Sequence, residues 1–356
     1  MRNLIKGTYP DDDCVYLLQD MQGLLKPVTQ SEKKQLMISG KKSYEMIPYE
    51  YKVDEVSERT FLRMVEENCE SIARYTGILA ESIYKVKGRK AVLVSLARGG
   101  VPVGVLCKRY FKKIYDINVP HYVISLIRNE GIDIAALRYI EQHHPDSYIQ
   151  FIDGWTGMGF ISSQLEKYVA EYNESYNRNV DPSLGVLVDS SKICQYYGTR
   201  DDVVFPCCCL NATVCGMISS IYYDRSVIDH SNFHGALQWN EEVGVDYSNF
   251  FVNKVSSHLK KQSSGMAPIE ENYAARCLSV IQTDFNVNEK KNIKFGIGES
   301  TRAIIRYDLR CLLIKDESNP NLQFILELAK KRNIKVMKYT KTDYECIALI
   351  SDKEVF

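Results

Sequence analysis

Apolar residues recur in two rhythms along this chain, and the change of rhythm marks its elements. Between Glu55 and about Val86, Phe61, Val65, Cys69, Ile72 and Leu79 follow mixed three- and four-residue steps, which predicts a long amphipathic helix. Beyond it, KAVLVSLA (90–97), VPHYVISLI (119–127), SYIQFID (147–153) and SLGVLVDSS (183–191) are near-continuous apolar runs, as expected of parallel strands buried on both faces. Helical patterns separate them: RGGVPVGVLCKRYFKK (98–113), DIAALRYIEQHH (133–144) with Asp133 placed to cap it, and FISSQLEKYVAEYNESYNR (160–178). This alternation predicts an α/β fold with a doubly wound parallel sheet.

The flanks divide the chain. Residues 1–54, turn-rich, read as an N-terminal arm, and 55–259 as the sheet domain, irregular after 200. Residues 260–290 open on the polar KKQSSGMAP and read as a linker with a short helix. From 291 to 356, IKFGIGESTRAIIR, CLLIKD, PNLQFILELAKKRN, IKVMKY and YECIALI predict a second, small α/β domain.

Composition narrows the function classes. Forty-five basic residues balance 45 acidic ones among 356, so no global field draws the chain to nucleic acid or anionic membrane. The N-terminus has no secretory apolar core, and no apolar run is long enough to span a bilayer, so a cytoplasmic protein without a membrane partner is expected. Eleven cysteines without a CxxC pair do not suggest a disulfide scaffold.

Two glycine turns follow predicted strands, where ligands of open α/β sheets sit. In SLARGGVPVG, Ala97, Gly99 and Gly100 expose backbone N–H groups at a helix start, and Arg98 can fork onto phosphate oxygens. In FIDGWTGMG, Asp153 ends a strand, and Gly154, Thr156, Gly157, Met158 and Gly159 form the turn that leads into the next helix. Two anion cradles on neighbouring strands suggest a ligand with phosphate at both ends. Asp189, at the end of the fourth strand, faces an acceptor or is a plain cap. Arg200, in GTRDD, completes the site or lies in a solvated turn. Arg128, in RNEGID, closes over the site or is a surface charge.

These motifs resemble the pyrophosphate and phosphoribosyl pyrophosphate loops of type I phosphoribosyltransferases. With GTRDD, CLNATV and the C-terminal unit, they more closely resemble a bacterial family found with tellurite-resistance and stress-response genes, which pairs a phosphoribosyltransferase-like domain with a Pelota-type RNA-binding domain. Some of its members are labelled cysteine protease StiP. The resemblance implies a type I phosphoribosyltransferase-like sheet, a small Pelota-like α/β domain, and magnesium-dependent transfer from phosphoribosyl pyrophosphate. Magnesium and the Arg98 loop would then stabilise the leaving pyrophosphate, closure of the Arg128 loop would exclude water, Asp153 would hold ribose or metal-bound water, and a homodimer is compatible. Gly154 stands where such enzymes carry a second acid, which keeps open a non-catalytic sensor of a nucleotide or phosphosugar. A cysteine protease is the other alternative, with Cys209 of the CCC run as its nucleophile.

The stretch GIGESTR resembles the RNA-contacting loop and helix of the Pelota-like fold. On that likeness Gly296 and Gly298 permit close backbone approach, Glu299 and Thr301 contact RNA, and Arg302 and Arg306 meet phosphates.

Overall fold

The computed structural model describes residues 3–210, 212–240 and 244–351. Residues 1–2 of the N-terminal arm, Asn211 of CLNATV and residues 241–243 of the sheet domain, and residues 352–356 of the second domain lie outside them.

Six parallel strands form the main sheet, in the spatial order Val15–Tyr16, His121–Ile124, Ala91–Leu96, Tyr148–Trp155, Leu184–Val188, Tyr196–Thr199. The strand Ala91–Leu96 is buried at every position. Its alternate residues feed two apolar layers: Ala91 and Leu93 join one, Val92, Val94 and Leu96 the other. That is the physical reason for an unbroken apolar run, since each fully buried Val or Leu contributes about 1.5–3 kcal/mol. The helix Glu55–Lys87 places Phe61, Val65, Ile72 and Leu79 in the first layer; Leu137, Ile140, Leu165 and Val169 fill the second from the helices Ile134–His143 and Phe160–Tyr176.

Three local outcomes depart from the sequence pattern. The run VISLI does not continue as one strand. Its Ser125 hydroxyl is hydrogen-bonded to His234 Nδ1 at 2.6 Å, and Leu126–Ile127 turns back against Gly131–Ile132 as a hairpin. The strand through Asp153 does not end there but runs to Trp155. The N-terminal segment supplies the edge strand Val15–Tyr16 and the pair Gln19–Asp20 with Gly235–Ala236, which clasps the segment after residue 200.

A second sheet has the order Ile293–Phe295, Cys346–Ile350, Leu309–Ile314, Val336–Lys338, with Cys346–Ile350 antiparallel to both neighbours. The helix Tyr273–Phe285 packs Tyr273, Ala274, Cys277, Leu278 and Ile281 against this sheet. The two units are docked. Asp202 accepts backbone N–H groups of Ile297 (2.8 Å) and Glu345 (3.0 Å), and Ser191 and Tyr344 share a hydrogen bond of 3.0 Å.

Candidate functional site

Chain order puts Ala91–Leu96 first, His121–Ile124 on one side of it and Tyr148–Trp155 on the other. Connections therefore diverge between the first and third of these strands, which opens a crevice at their carboxyl ends. A cavity of about 620 Å³ fills it, bounded by both glycine turns, the Arg128 hairpin and the helix Gly296–Arg306 of the second unit.

Within the first turn, Ala97, Arg98 and Gly99 face the cavity. Arg98 donates to Glu50 Oε1 at 2.6 Å and to the Ile218 carbonyl at 3.2 Å, so the N-terminal arm holds its guanidinium. Gly100 serves packing: a Cβ there would lie 2.2 Å from the Ile152 carbonyl oxygen. Gly99 is less restricted: a Cβ there would meet the Asp153 side chain, at 2.8 Å from Oδ1.

Asp153 points into the cavity and accepts the Gly154 N–H at 2.7 Å. Burial raises its pKa to about 7, against the pull of Gly154 N–H and Arg302. Gly154 itself crosses the Gly99 carbonyl, 3.1 Å from where a Cβ would stand. Thr156 lines the cavity with its hydroxyl turned inward, donating to Asp189 at 3.1 Å and accepting from Ser191 N–H at 3.2 Å. Gly157, Met158 and Gly159 line the cavity as well, and Gly159, at φ +81°, begins the helix Phe160–Tyr176 without a side-chain cap.

Asp189 and Arg200 do not reach the cavity. Asp189 is fully buried behind Thr156 and also accepts from the Ile193 and Cys194 N–H groups; burial lifts its pKa to about 6. Arg200 stands 3.6 Å from Asp189 and donates to Glu270 at 2.7 Å and the Pro268 carbonyl at 2.8 Å. For Asp189 the cap fits this placement; Arg200 meets neither of its readings, since it lies outside the cavity and its side chain is largely buried against Asp189 and Glu270 rather than solvated. Arg128 does reach the cavity, with its guanidinium 3.9 Å above the Phe160 ring. The magnesium expectation meets Asp153, whose proton affinity is high, where a hard cation favours ionised oxygens. No group of three or more His, Cys, Asp or Glu side chains suited to a metal occurs among the described residues.

The second unit's loop and helix close the site. Gly296, Gly298 and Thr301 are buried, and Glu299, Arg302 and Arg306 line the cavity. Trp155 Nε1 donates to Glu299 at 2.9 Å, and the Arg302 guanidinium lies 5.6 Å from the Trp155 ring centre. A Cβ on Gly298 would approach Trp155 to 3.2 Å, and one on Gly157 would approach Glu299 to 3.0 Å. The surface likened to an RNA contact therefore faces the first unit. Sequence reasoning missed this docking, as well as Lys33 and Lys294 in the cavity wall. No local signal encodes it, because Trp155 and Glu299 are 144 positions apart.

Among the cysteines, Cys207 and Cys215 line the cavity. Cys209 does not. It is buried with its sulfur 3.8 Å from that of Cys208, and burial pushes its thiol pKa far up. Burial pushes Cys215 up to about 12, while neighbouring Arg98 pulls it down. The six histidines are engaged elsewhere: His121 with Ser95, His234 with Ser125, His230 with Tyr223, His143 and His144 with Tyr139 and Tyr122, and His258 with Glu70.

Residues 7–256 match the family described as tellurite-like stress resistance cysteine protease StiP, and residues 272–352 match the Pelota RNA-binding domain. The chain is 26% identical, over 97% of its own length and 94% of the relative's, to a protein of Acinetobacter baylyi (strain ATCC 33305 / BD413 / ADP1) named cysteine protease StiP. These matches overturn the phosphoribosyltransferase reading and its transfer from phosphoribosyl pyrophosphate: the family is described by thiol proteolysis. Gly154, in place of the second acid, and the inward-turned Thr156 agree with that correction. Among the described residues no helix is long and apolar enough to cross a membrane. The chain belongs to the tellurite-like stress resistance cysteine protease StiP family and carries a Pelota RNA-binding domain behind its α/β unit.

Proposed function

We propose that this protein acts in stress resistance as a thiol-dependent peptide hydrolase, with the cleft between its units as the active site and Cys215 as the nucleophile. One observation carries the reading: Cys207 and Cys215 are the cysteines that face the cleft, and Cys215 has the Arg98 cation beside it. A thiolate is the reactive form, and a fixed cation is one of the few means of favouring it. With the second unit docked, burial outweighs Arg98 and the thiol stays protonated. Opening the cleft to water removes the burial penalty and leaves the pull of Arg98, offset in part by Glu50, its ion-pair partner. The docked form is thus the resting enzyme. Its Pelota domain binds RNA, and the strand order supports a phosphoribosyltransferase-like sheet turned to other chemistry.

The test is hydrolysis of denatured casein by the full chain, with Cys215→Ala, Cys207→Ala and Cys209→Ala variants of unchanged melting temperature. Turnover lost in Cys215→Ala, kept in Cys209→Ala and blocked by iodoacetamide is expected. Full turnover by Cys215→Ala removes it as nucleophile.

A further inference from the structure

Tyrosine recurs every four residues along the helix Phe160–Tyr176, at 168, 172 and 176, and so stands on one face of it. That face does not close on the core throughout. It walls a second cavity, of about 410 Å³, which shares no lining residue with the cleft. Tyr223 and His234 add to its wall, their ring centroids 4.3 Å apart. Glu130 to Asp133 complete it, from the returning half of the hairpin that carries Arg128 into the cleft.

The carboxylates of this wall are already answered. Glu130 accepts from Arg225 at 2.7 Å and from the Tyr44 hydroxyl at 2.6 Å. Asp133 accepts the N–H groups of Ala136 (2.9 Å) and His234 (2.6 Å), and Glu171, at the rim, faces Lys167 at 3.8 Å. The hydroxyls of Tyr172 and Tyr223 are engaged by Glu141 and His230. Of the buried polar side chains, two atoms are left. The Tyr168 hydroxyl and His234 Nε2 have no hydrogen-bond partner among the described residues, and both stay accessible although the residues are only 9% and 7% exposed. Burial lowers the pKa of His234, against Asp133 and Glu130, so its ring is neutral near neutral pH and holds one donor and one acceptor nitrogen. Nδ1 meets the Ser125 hydroxyl at 2.6 Å, and Nε2 takes the opposite role toward the cavity. A tyrosine hydroxyl also serves as donor or acceptor.

We propose that this cavity is a second binding site, for a small uncharged aromatic molecule whose hydroxyl or amide group meets the Tyr168 hydroxyl and His234 Nε2. Such a group both donates and accepts, as the two protein atoms require. The tyrosine rings and Ile132 supply contact for an aromatic body, and the volume is that of a small-molecule site. A charged ligand would lose its hydration here without an unanswered counter-charge to replace it. His234 also clasps the hairpin at both ends, through Nδ1 on Ser125 and its N–H on Asp133, while Asp133 N–H donates to the Ser125 carbonyl at 3.1 Å. A ligand held by His234 against Gly131 and Ile132 therefore braces the hairpin that carries Arg128 over the cleft. The inference does not depend on Cys215 being a nucleophile.

The experiment is ligand-detected NMR titration of the full chain with phenol, benzamide, benzoate and benzylamine, beside Tyr168→Phe and Ser175→Trp. Ser175 is exposed at the mouth of the cavity, so tryptophan there blocks entry without touching the core. Saturable binding of phenol or benzamide is expected, with the two charged probes weaker by about ten-fold or more. Tyr168→Phe keeps the ring and removes the hydroxyl, and should weaken binding about three- to ten-fold, as for loss of one hydrogen bond. Ser175→Trp should abolish it. At saturation, deuterium exchange of the Gly131 and Ile132 amides should slow while that of the strand Ala91–Leu96 is unchanged. Absence of saturable binding by phenol and benzamide at millimolar concentration overturns the proposal. So does equal binding of the charged probes, binding indifferent to both variants, or hairpin exchange that the bound probe leaves unaltered. None of these outcomes bears on the casein assay for Cys215.

Discussion

Replacing Gly159 by alanine tests whether the second glycine turn joins the two units mechanically. Gly159 has φ +81°, where an L-residue pays about 1–2 kcal/mol. A Cβ there would also stand 2.7 Å from both Asn272 Nδ2 and Ile193 Cδ1, so something must move. Asn272 has little freedom to do so. Its Nδ2 donates to the Met158 carbonyl at 2.9 Å, and its Oδ1 caps the helix Tyr273–Phe285 by accepting from Ala275 N–H. Displacing it loses a cap and a hydrogen bond, each about 1 kcal/mol. Together with the backbone cost, Gly159→Ala should lose about 3–4 kcal/mol in urea unfolding. Asn272→Ala should lose about 2 kcal/mol, and the double variant less than the sum, since both remove the same contacts. A loss below about 0.5 kcal/mol, or strict additivity, would refute the claim that this turn and the helix cap hold each other.

Other consequences are as direct. Asp202→Ala strips the Ile297 and Glu345 N–H groups of their acceptor, at about 1–3 kcal/mol each, so their exchange with deuterium should rise at least ten-fold while amides of the strand Ala91–Leu96 keep their protection. Equal protection at both sites would remove Asp202 as a clamp. Asp153 has its pKa raised from 3.8 to about 7, chiefly by burial, so the native state keeps a proton that the unfolded chain releases between those values. Stability from this group therefore falls as pH rises through that window, and Asp153→Asn should gain on the parent by about 2–4 kcal/mol between pH 4 and 8. A difference that is flat with pH speaks against a buried, protonated Asp153. Trp155→Phe removes the donor to Glu299 while keeping most of the ring, and should lower the melting temperature by a few degrees, about 1–2 kcal/mol.

The sheet was legible because its physics is local. AVLVSL must be a doubly buried strand, since no helix face or half-exposed strand uses six consecutive apolar or small residues that way, and the helix Glu55–Lys87 declares itself by its stripe and by Asp54, which accepts from Val56 and Ser57 N–H. The edge strand Val15–Tyr16 was illegible, because two residues carry no period and its register depends on Tyr122 and Val123. The site was half legible. Both glycine turns stand at the switch point, as the motif spacing implies, yet the partners of their polar groups are remote in sequence: Glu50 for Arg98, Asp189 for Thr156, Glu299 for Trp155. Each of those pairings consumes a group that local chemistry had offered to a ligand. Cys209 shows the same limit, for only packing reveals that Cys207 and Cys215 face the cleft and Cys209 does not.

The helix Gly296–Arg306 sets two uses of one surface against each other. Gly298 is small enough for Trp155 to lie on it, and Gly296 lets Asp202 reach the Ile297 N–H in the first turn of the helix. Those features make docking on the first unit tight, and close backbone approach is also what a Pelota-like loop needs to meet RNA. Trp155 and a nucleotide base cannot both occupy the space above Gly298. RNA bound through this loop must therefore replace the contacts of Trp155, Asp202 and the cleft wall, and it exposes the cleft as it does so. RNA bound through any other face of the unit leaves the cleft shut. On the proposed reading, RNA bound through this loop would open the cleft that Cys215 lines by excluded volume alone, without a signal having to travel through the fold.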